Sequence, residues 1–285
     1  MFKKKKKAPP EPEFFLSATN MPTRNFRVYY MKRWEKFGYA LLAFVAGAAV
    51  GYLFYGGLGK DEFGQPTTIT YILNILIPTI AGIIAARLFI PARTKAIIGK
   101  RKRQLAKQFR DMLDGLTTSL SAGKNVTDAF YAVYEDLKVQ YDSDAFILRE
   151  LELILSGIQN NFPVEQLLED FGKRSDIDDI SSFAGVFSIS YRKGGNIKDV
   201  IRNTHAILSD KMAIEEDIET MLTANKTEQN IMAVMPIAIV ALIKGMSPDF
   251  AKNFASPAGI LASTVAIIIF IIAYYVGKSV LNIKM

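Results

Sequence analysis

Carboxylates are the side chains through which this chain could bind a metal ion. It has 28 Asp and Glu residues, a single histidine, His205, and no cysteine. Glu150 and Glu152 lie on one predicted helix and could take part in a divalent-cation site together with another helix. A solvated acidic surface is the alternative interpretation of this pair. The chemistry therefore depends on which helices surround these two carboxylates.

The absences narrow the function classes. Without cysteine there is no thiol nucleophile, disulfide or thiolate metal site, and one histidine makes a His-based triad implausible. Gly59-Lys60-Asp61 lacks the first glycine and the hydroxyl of a phosphate-binding loop. Asp176, Asp178 and Asp179 lack EF-hand spacing, so we interpret them as helix caps. We expect no catalytic residue, no metal and no cofactor, and hence no enzyme.

Two eight-residue segments, 71 residues apart, repeat one pattern that predicts a helix–turn–helix joint. The pattern residues are Gly123, Asn125 and Asp128 in the first segment and Gly194, Asn196 and Asp199 in the second. Glycine closes the first helix in a left-handed conformation, and asparagine caps the next helix. The aspartate three residues on can return a bond to the cap, as in a capping box. We expect the two joints to occupy related places in one bundle, as in a duplication of helix pairs.

Four apolar segments of near-membrane length flank these joints, at residues 37–58, 69–91, 229–246 and 259–281. About 20 apolar residues cross a bilayer as a helix, so three segments qualify directly. The segment 229–246 is shorter and contains Pro236, so a buried core helix is its alternative. Gly47 and Gly51, four residues apart in the first segment, favour close packing of helices in lipid. No Asp or Glu lies in any of these segments, which disfavours ion-coupled transport.

The placement of charge predicts the orientation. Residues 92–110 hold eight Lys and Arg and no acid, whereas residues 111–228 hold 11 basic and 22 acidic residues. Positive ends belong on the cytoplasmic side, so we expect a multi-pass protein of the cell (inner) membrane with cytoplasmic N- and C-termini. The residues expected at the membrane interface are Trp34, Lys100, Arg101, Lys102 and Arg103. Lipid headgroups explain the basic run better than nucleic acid does.

The block between the apolar pairs has helical periodicity throughout. Helices are predicted over 104–122, 125–137, from Asp142 or Asp144 to about 157, over 164–173, from Asp178 or Asp179 to about 192, and from 196 onward. No Pro or Gly interrupts residues 197–235, so the last helix could continue into the third span. The fold class is therefore all-α, with four transmembrane helices and a cytoplasmic six-helix bundle.

The predicted domain organisation follows from these segments. It comprises a disordered basic and Pro-rich tail (1–25), an interfacial segment (26–36), spans one and two (37–91), the cytoplasmic helical domain (92–228), spans three and four (229–281) and a short tail (282–285). The acidic surface of the helical domain is a candidate docking site for a basic partner, with ordinary solubility charge as the alternative. Its candidate residues are Glu150, Glu152, Glu215, Glu216, Asp217 and Glu219.

Three segments of the helical domain resemble the type II secretion F family of inner-membrane platform proteins. They are residues 112–129, with the Ala122-Gly123 turn; residues 157–175, with Gly157 and Arg174; and residues 191–201, with Gly194-Gly195-Asn196. The order of two spans, one helical domain and two spans is similar to the tight-adherence (Tad) pilus platform proteins, and either of their two paralogues fits. Platforms with two cytoplasmic domains differ from this chain, which has one.

The resemblance implies a role in pilus assembly and protein secretion. It implies self-association, contact with a paralogous platform subunit and with pilin subunits in the membrane, and a hexameric secretion ATPase below. It implies no catalytic residue. Two other functions remain open from the residues alone: a transporter or channel that uses Lys244 and the Pro236 break, and a membrane-anchored signalling scaffold.

Overall fold

The computed structural model describes residues 11–59, 65–246 and 253–281, and these are almost entirely helical. Within these ranges, a short antiparallel hairpin precedes eight helices. Its strands are β1 (Phe14–Leu16) and β2 (Pro22–Arg24). The helices are α1 (Arg33–Tyr55), α2 (Thr68–Ser121), α3 (Val126–Gln140), α4 (Phe146–Gln159), α5 (Val164–Ser175), α6 (Asp178–Arg192), α7 (Ile197–Met246) and α8 (Pro257–Leu281).

These elements form two compact units. The bundle unit contains the described residues of Met1–Tyr30 and Thr94–Ile214, and the span unit contains those of Met31–Arg93 and Glu215–Met285. The lysine run at 3–7, the tail at 282–285 and parts of both predicted outer loops (60–64 and 247–252) lie outside the described residues.

Apolar side chains at helical spacing form the core of the bundle unit. The predicted inward face of the first bundle helix is confirmed, because Leu105, Phe109, Met112 and Leu116 are fully buried. Phe109 meets the rings of Phe171 and Phe183, on α5 and α6, at centroid distances of 6.1 and 5.4 Å. Such edge-to-face contacts add to the free energy gained from burial. The six predicted bundle helices all occur in this order.

Four helices in the described part of the chain are long and apolar enough to cross a membrane: α1, α2, α7 and the Pro257–Gly277 part of α8. The predicted third segment is therefore the end of a 50-residue helix rather than a separate core helix. This confirms the helical continuity expected after residue 196. Polar residues at 223–230 do not break α7, because none of them is a proline or a glycine.

The first correction concerns α2, where we expected the second span to end at residue 91 and a separate bundle helix to begin at residue 104. The structure has one helix of 54 residues with Pro78 and Pro91 inside it. A proline removes one backbone donor and disturbs one turn, but helical residues on both sides can continue past it. The basic residues after Pro91 are good helix formers, so the chain resumes the helix at once.

The second correction concerns the disordered tail predicted over residues 1–25. Within it, residues 14–24 form the hairpin, and Asn20 turns the chain with a φ of 58°. Phe26, just after the hairpin, is buried with its ring 5.4 Å from that of Phe146. The aromatic residues give this segment apolar area to bury, which its Lys- and Pro-rich average composition concealed.

The third correction concerns caps. The residue before α4 is Ala145, with no side-chain cap, so neither Asp142 nor Asp144 caps that helix. Asp176 is a cap, as interpreted, but at the end of α5, where it has a left-handed conformation with a φ of 53°. Asp178 and Asp179 lie in the first turn of α6, where carboxylates interact favourably with the helix dipole.

Candidate functional site

The two predicted joints have the same backbone hydrogen-bond pattern. Gly123 and Gly194 have φ values of 86° and 67°. In the first joint Gly123 N donates to Leu120 O and Lys124 N to Ser119 O, at 3.1 and 3.2 Å. In the second, Gly194 N donates to Tyr191 O at 3.4 Å and Gly195 N to Ser190 O at 2.7 Å. Both are the two-bond closure that follows a glycine at a helix C-terminus.

The start of the following helix is also the same in both joints. The Asn125 side-chain oxygen accepts from Asp128 N at 2.8 Å, and the Asn196 oxygen accepts from Asp199 N at 3.3 Å. Each asparagine amide also donates to the aspartate carboxylate of its own joint. The local prediction is therefore confirmed in both copies. The larger prediction, a duplication of helix pairs, stays a prediction.

A buried ion cluster joins α4 to α5. The Arg174 guanidinium donates to both oxygens of Glu150, at 3.0 and 2.8 Å, and to Asp170 at 2.7 Å. Arg174 and Glu150 are almost fully buried, whereas the Asp170 carboxylate is partly exposed. Glu150 was predicted as a docking or cation-binding residue, and that prediction is wrong, because Arg174 occupies both of its carboxylate oxygens and its side chain is only 4% exposed.

Burial and pairing act differently on the two members of this cluster. Burial raises the pKa of the Glu150 carboxyl, and the bonds from Arg174 oppose that rise. Burial lowers the pKa of Arg174, but the carboxylates of Glu150 and Asp170 outweigh it, so the net shift is upward. Both pKa values are raised. The two anionic partners of Arg174 outweigh its burial, whereas the one cationic partner of Glu150 does not. Arg174, predicted as a family-motif residue, thus binds carboxylates of α4 and α5 within the bundle unit.

A close helix–helix approach lies beside this cluster. A Cβ added to Gly157 on α4 would stand 2.5 Å from a Leu167 methyl carbon of α5. A larger residue at 157 would displace the Leu167 side chain, so glycine favours the close approach of α4 and α5, which Glu150 and Arg174 bridge. Sequence reasoning selected Gly157 and Arg174 separately and missed Asp170. The only sequence signal for Asp170 is its position one helical turn before Arg174.

The basic residues predicted at the membrane interface divide into two groups. Arg101 stacks on the ring of Tyr29 at 4.1 Å, and Lys102 pairs with Asp176. These two residues therefore bind other parts of the bundle unit instead of facing outward. Lys100 and Arg103 are exposed, and the Trp34 side chain is 86% exposed at the start of α1. These three remain candidates for contact with headgroups.

The acidic residues predicted for docking differ in exposure. Glu216, Asp217 and Glu219 are exposed on α7, and Glu215 is half-buried. The Glu219 carboxylate lies 3.9 Å from the Lys226 ammonium. Glu152 on α4 is exposed and accepts a hydrogen bond from the Tyr134 hydroxyl at 2.8 Å. Of the predicted docking residues, the α7 carboxylates present the most accessible charge.

The span unit packs through its small residues. A Cβ on Gly47 would stand 2.6 Å from Ala85 Cβ, and one on Gly51 would stand 2.9 Å from Ala81 Cβ. On the facing helix, a Cβ on Gly82 would stand 2.6 Å from the ring of Phe44. The predicted role of Gly47 and Gly51 in helix packing is therefore seen between α1 and α2 of one chain.

Lys244, singled out as a possible transport residue, bonds to the end of another helix. Its Nζ donates to the Leu53 carbonyl at 2.6 Å and lies 3.4 Å from the Phe54 carbonyl. These carbonyls belong to the last turn of α1, where no intrahelical donor is available. The ammonium also lies 4.9 Å from the centroid of the Phe254 ring. Lys244 thus caps α1.

Comparison with known proteins adds no relative to this description. No family model, no curated protein and no solved structure matches the chain.

Proposed function

We propose that the chain is an inner-membrane platform subunit of a Tad-type pilus or type II secretion machine. In this role it couples a cytoplasmic hexameric ATPase to the extraction and assembly of pilin subunits. The observation that carries the proposal is α7. This helix begins at the second glycine–asparagine joint and continues to Met246, so a single element contains both the last bundle segment and the third apolar segment.

A continuous helix is suited to transmit movement. At about 1.5 Å per residue, 50 residues give a length of roughly 75 Å. The two joints support the same role, because a closed glycine turn followed by a side-chain cap fixes how one helix follows another. The buried Glu150–Arg174 pair joins α4 to α5, so these two helices would move together when a force acts on the bundle unit.

The exposed carboxylates of α7 form the candidate docking surface for the ATPase. Glu216, Asp217 and Glu219 lie within four residues on the helix that would carry the motion. Complementary charge steers association and sets its orientation more than it adds affinity. We therefore assign these residues to the orientation of a basic face of the ATPase.

The transporter alternative is disfavoured by the contacts of Lys244. A coupling residue must change partners during transport, whereas the Lys244 ammonium donates to the carbonyls that end α1. Reconstituted liposomes test this alternative. Solute or ion flux that disappears in Lys244→Ala would support a transporter, and the platform proposal expects no such flux.

The experiment that tests the platform proposal breaks α7 without removing the protein. Asn225 lies in the polar stretch of α7, and proline there removes a backbone donor and disturbs the preceding turn, at a cost of about 3 kcal/mol. The matched control is Asn225→Ala, which keeps the helix. Each variant is expressed in a deletion strain of the native host, and membrane abundance is measured by immunoblot.

We expect loss of surface pili on deletion, restoration by Asn225→Ala and no restoration by Asn225→Pro at equal abundance. Undiminished pili in the deletion strain would contradict the proposal and favour a signalling scaffold. Normal pili with Asn225→Pro would exclude α7 as the coupling element. If Asn225→Pro fails to accumulate, two alanines replacing Glu216 and Asp217 provide the second test, with reduced piliation expected.

A further inference from the structure

A cavity of about 580 Å3 lies between the hairpin segment and α4, within the bundle unit. Its volume falls in the range of about 300–1,000 Å3 that is typical of small-molecule sites. The walls are mainly apolar, with Phe14 and Phe26 on one side and Phe146 and Leu153 on the other. Arg24 and Arg149 are the basic residues of the lining.

The carboxylates of this lining are already engaged. Glu150 accepts both bonds from Arg174, and Glu152 accepts from the Tyr134 hydroxyl at 2.8 Å. Arg174 neutralises Glu150, whereas the bond from a neutral hydroxyl leaves Glu152 charged. Arg24 and Arg149, which repel each other, outnumber this one unneutralised carboxylate, so the lining has a small excess of positive charge.

One hydrogen-bond donor of Arg24 has no acceptor among the described residues. This donor is its Nε, which is buried. Its guanidinium lies 5.7 Å from the centroid of the Phe146 ring, over the apolar wall. Protein atoms cover this Nε, so an anionic ligand in the cavity would bond to the terminal nitrogens of the guanidinium instead. The position of Arg24 over the apolar wall, with Arg149 in the same lining, distinguishes the cavity from an ordinary surface cleft.

The electrostatics of Arg24 agree with that geometry. Burial lowers its pKa, and the charges of Arg101 and Arg149 lower it further, while Glu13 and Asp144 oppose the shift. A phosphate or carboxylate in the cavity would stabilise the charged guanidinium through charge-assisted hydrogen bonds.

The rest of the lining selects the body of the ligand. A flat base or sugar would need several hydrogen-bonding partners, but the Thr23 hydroxyl donates to Phe15 O, and Ser156 is the other hydroxyl of the lining. Phenylalanine, leucine and methionine side chains instead suit a flexible hydrocarbon chain. An acyl chain buries against such walls and requires no hydrogen bond.

We propose that the cavity between the hairpin and α4 binds a single-chain anionic lipid, with its acid group on Arg24 and Arg149 and its acyl chain against Phe14, Phe26 and Phe146. The acid group is the carboxylate of a fatty acid or the phosphate of a lysophospholipid. The ligand would hold the hairpin on α4, because residues of both elements contact it. This site does not depend on the platform function.

The test uses the full chain in phosphatidylcholine nanodiscs and two photoactivatable probes, a diazirine fatty acid and a diazirine lysophosphatidic acid. A diazirine fatty alcohol of equal length is the neutral control. After irradiation, mass spectrometry locates the labelled peptides. Probe that dissolves in the bilayer will also label the apolar helices, and this labelling serves as the internal reference. The variants are Arg24→Met with Arg149→Met, Leu153→Trp to fill the cavity, and Arg202→Met as an exposed arginine outside it.

We expect labelling of peptides within 14–26 and 146–156 by one or both acidic probes, and the stronger probe identifies the headgroup. Labelling should fall about tenfold with the alcohol and with the double arginine variant, since charge-assisted bonds are lost. Leu153→Trp should abolish it, and Arg202→Met should leave it unchanged. Equal labelling by acid and alcohol, or labelling confined to the apolar helices, would overturn the proposal. Competition by an aromatic nucleotide but not by fatty acid would overturn the choice of an acyl chain.

Discussion

The most informative perturbation is removal of the cation from the buried cluster, Arg174→Met. It leaves the Glu150 carboxylate, whose side chain is 4% exposed, without its two bonds of 3.0 and 2.8 Å. Removing one partner of a buried ion pair costs about 3–5 kcal/mol, because the remaining charge is uncompensated. Glu150→Leu should cost less, since Arg174 keeps its 2.7 Å bond to Asp170.

The double variant Glu150→Leu with Arg174→Met separates charge from packing. Replacing both members of a buried pair by apolar groups of similar volume is often neutral or stabilising, so the double variant should recover most of the loss. The assay is native-state hydrogen exchange of the α4 and α5 amides in the full chain, which gives a free energy of opening for those helices. Arg192→Met is the matched control, because it also removes a cation from a glutamate, Glu165, but the Arg192 side chain is 57% exposed and the pair is 3.5 Å apart.

The pH dependence of Arg174→Met provides an independent readout. Without the cation, burial and the negative charge of Asp170 raise the pKa of Glu150 further above its ordinary value. A group whose pKa is raised by folding stabilises the fold below its unfolded pKa, and that contribution is lost as pH rises through the folded value. The deficit of Arg174→Met relative to wild type should therefore shrink as pH falls from 8 to 5.5. A deficit no larger than that of Arg192→Met, or one that grows on acidification, would refute the reasoning.

Three further predictions follow from other contacts. Gly123→Ala and Gly194→Ala should each lower the free energy of opening by about 1–2 kcal/mol, because both residues have positive φ. Unequal losses, measured by hydrogen exchange, would contradict the equivalence of the two joints. Gly47→Ala should lower the free energy of unfolding in detergent by about 1–3 kcal/mol, because the added carbon would clash with α2. Gly38→Ala should not destabilise the protein, because nothing lies within 4 Å of its added carbon. Equal effects of the two changes would exclude the packing argument. Burial and the bond to a carboxylate raise the pKa of Tyr141 to about 12. The free energy of unfolding of the wild type should therefore fall by about 1–2 kcal/mol between pH 10 and 12, after allowance for solvent screening. A Tyr141→Phe variant that loses as much in alkaline unfolding would refute this.

The helices and their order could be predicted from the sequence because their signals are local. Apolar spacing placed Leu105, Phe109 and Met112 on one buried face, and the two glycine–asparagine patterns located both joints. A left-handed glycine and a side-chain cap act within five or six residues, so no knowledge of distant contacts is required. The four apolar helices were predictable for the same reason, since length and composition alone identify them.

The features that sequence reasoning missed depend on partners distant in the chain. Glu150 is buried only because Arg174, 24 residues later, brings a guanidinium to it, and no local pattern distinguishes it from an exposed glutamate such as Glu152. The hairpin is stabilised by contacts such as Phe26 with Phe146, which lie 120 residues apart. The continuity of α2 through Pro91 reflects the cooperativity of long helices, which outweighs one missing donor.

The proposed platform function is tested most directly by co-purification of the full chain, in nanodiscs, with a hexameric secretion ATPase of the native host. We predict a saturable complex that weakens when Glu216, Asp217 and Glu219 are replaced by lysine, and that persists with Glu35→Lys, a change on α1 outside that surface. Complementary charge should give the wild-type complex a strong dependence on salt. No complex at low salt, or a complex indifferent to the three lysines, would contradict the assignment of this chain as the membrane partner of the ATPase.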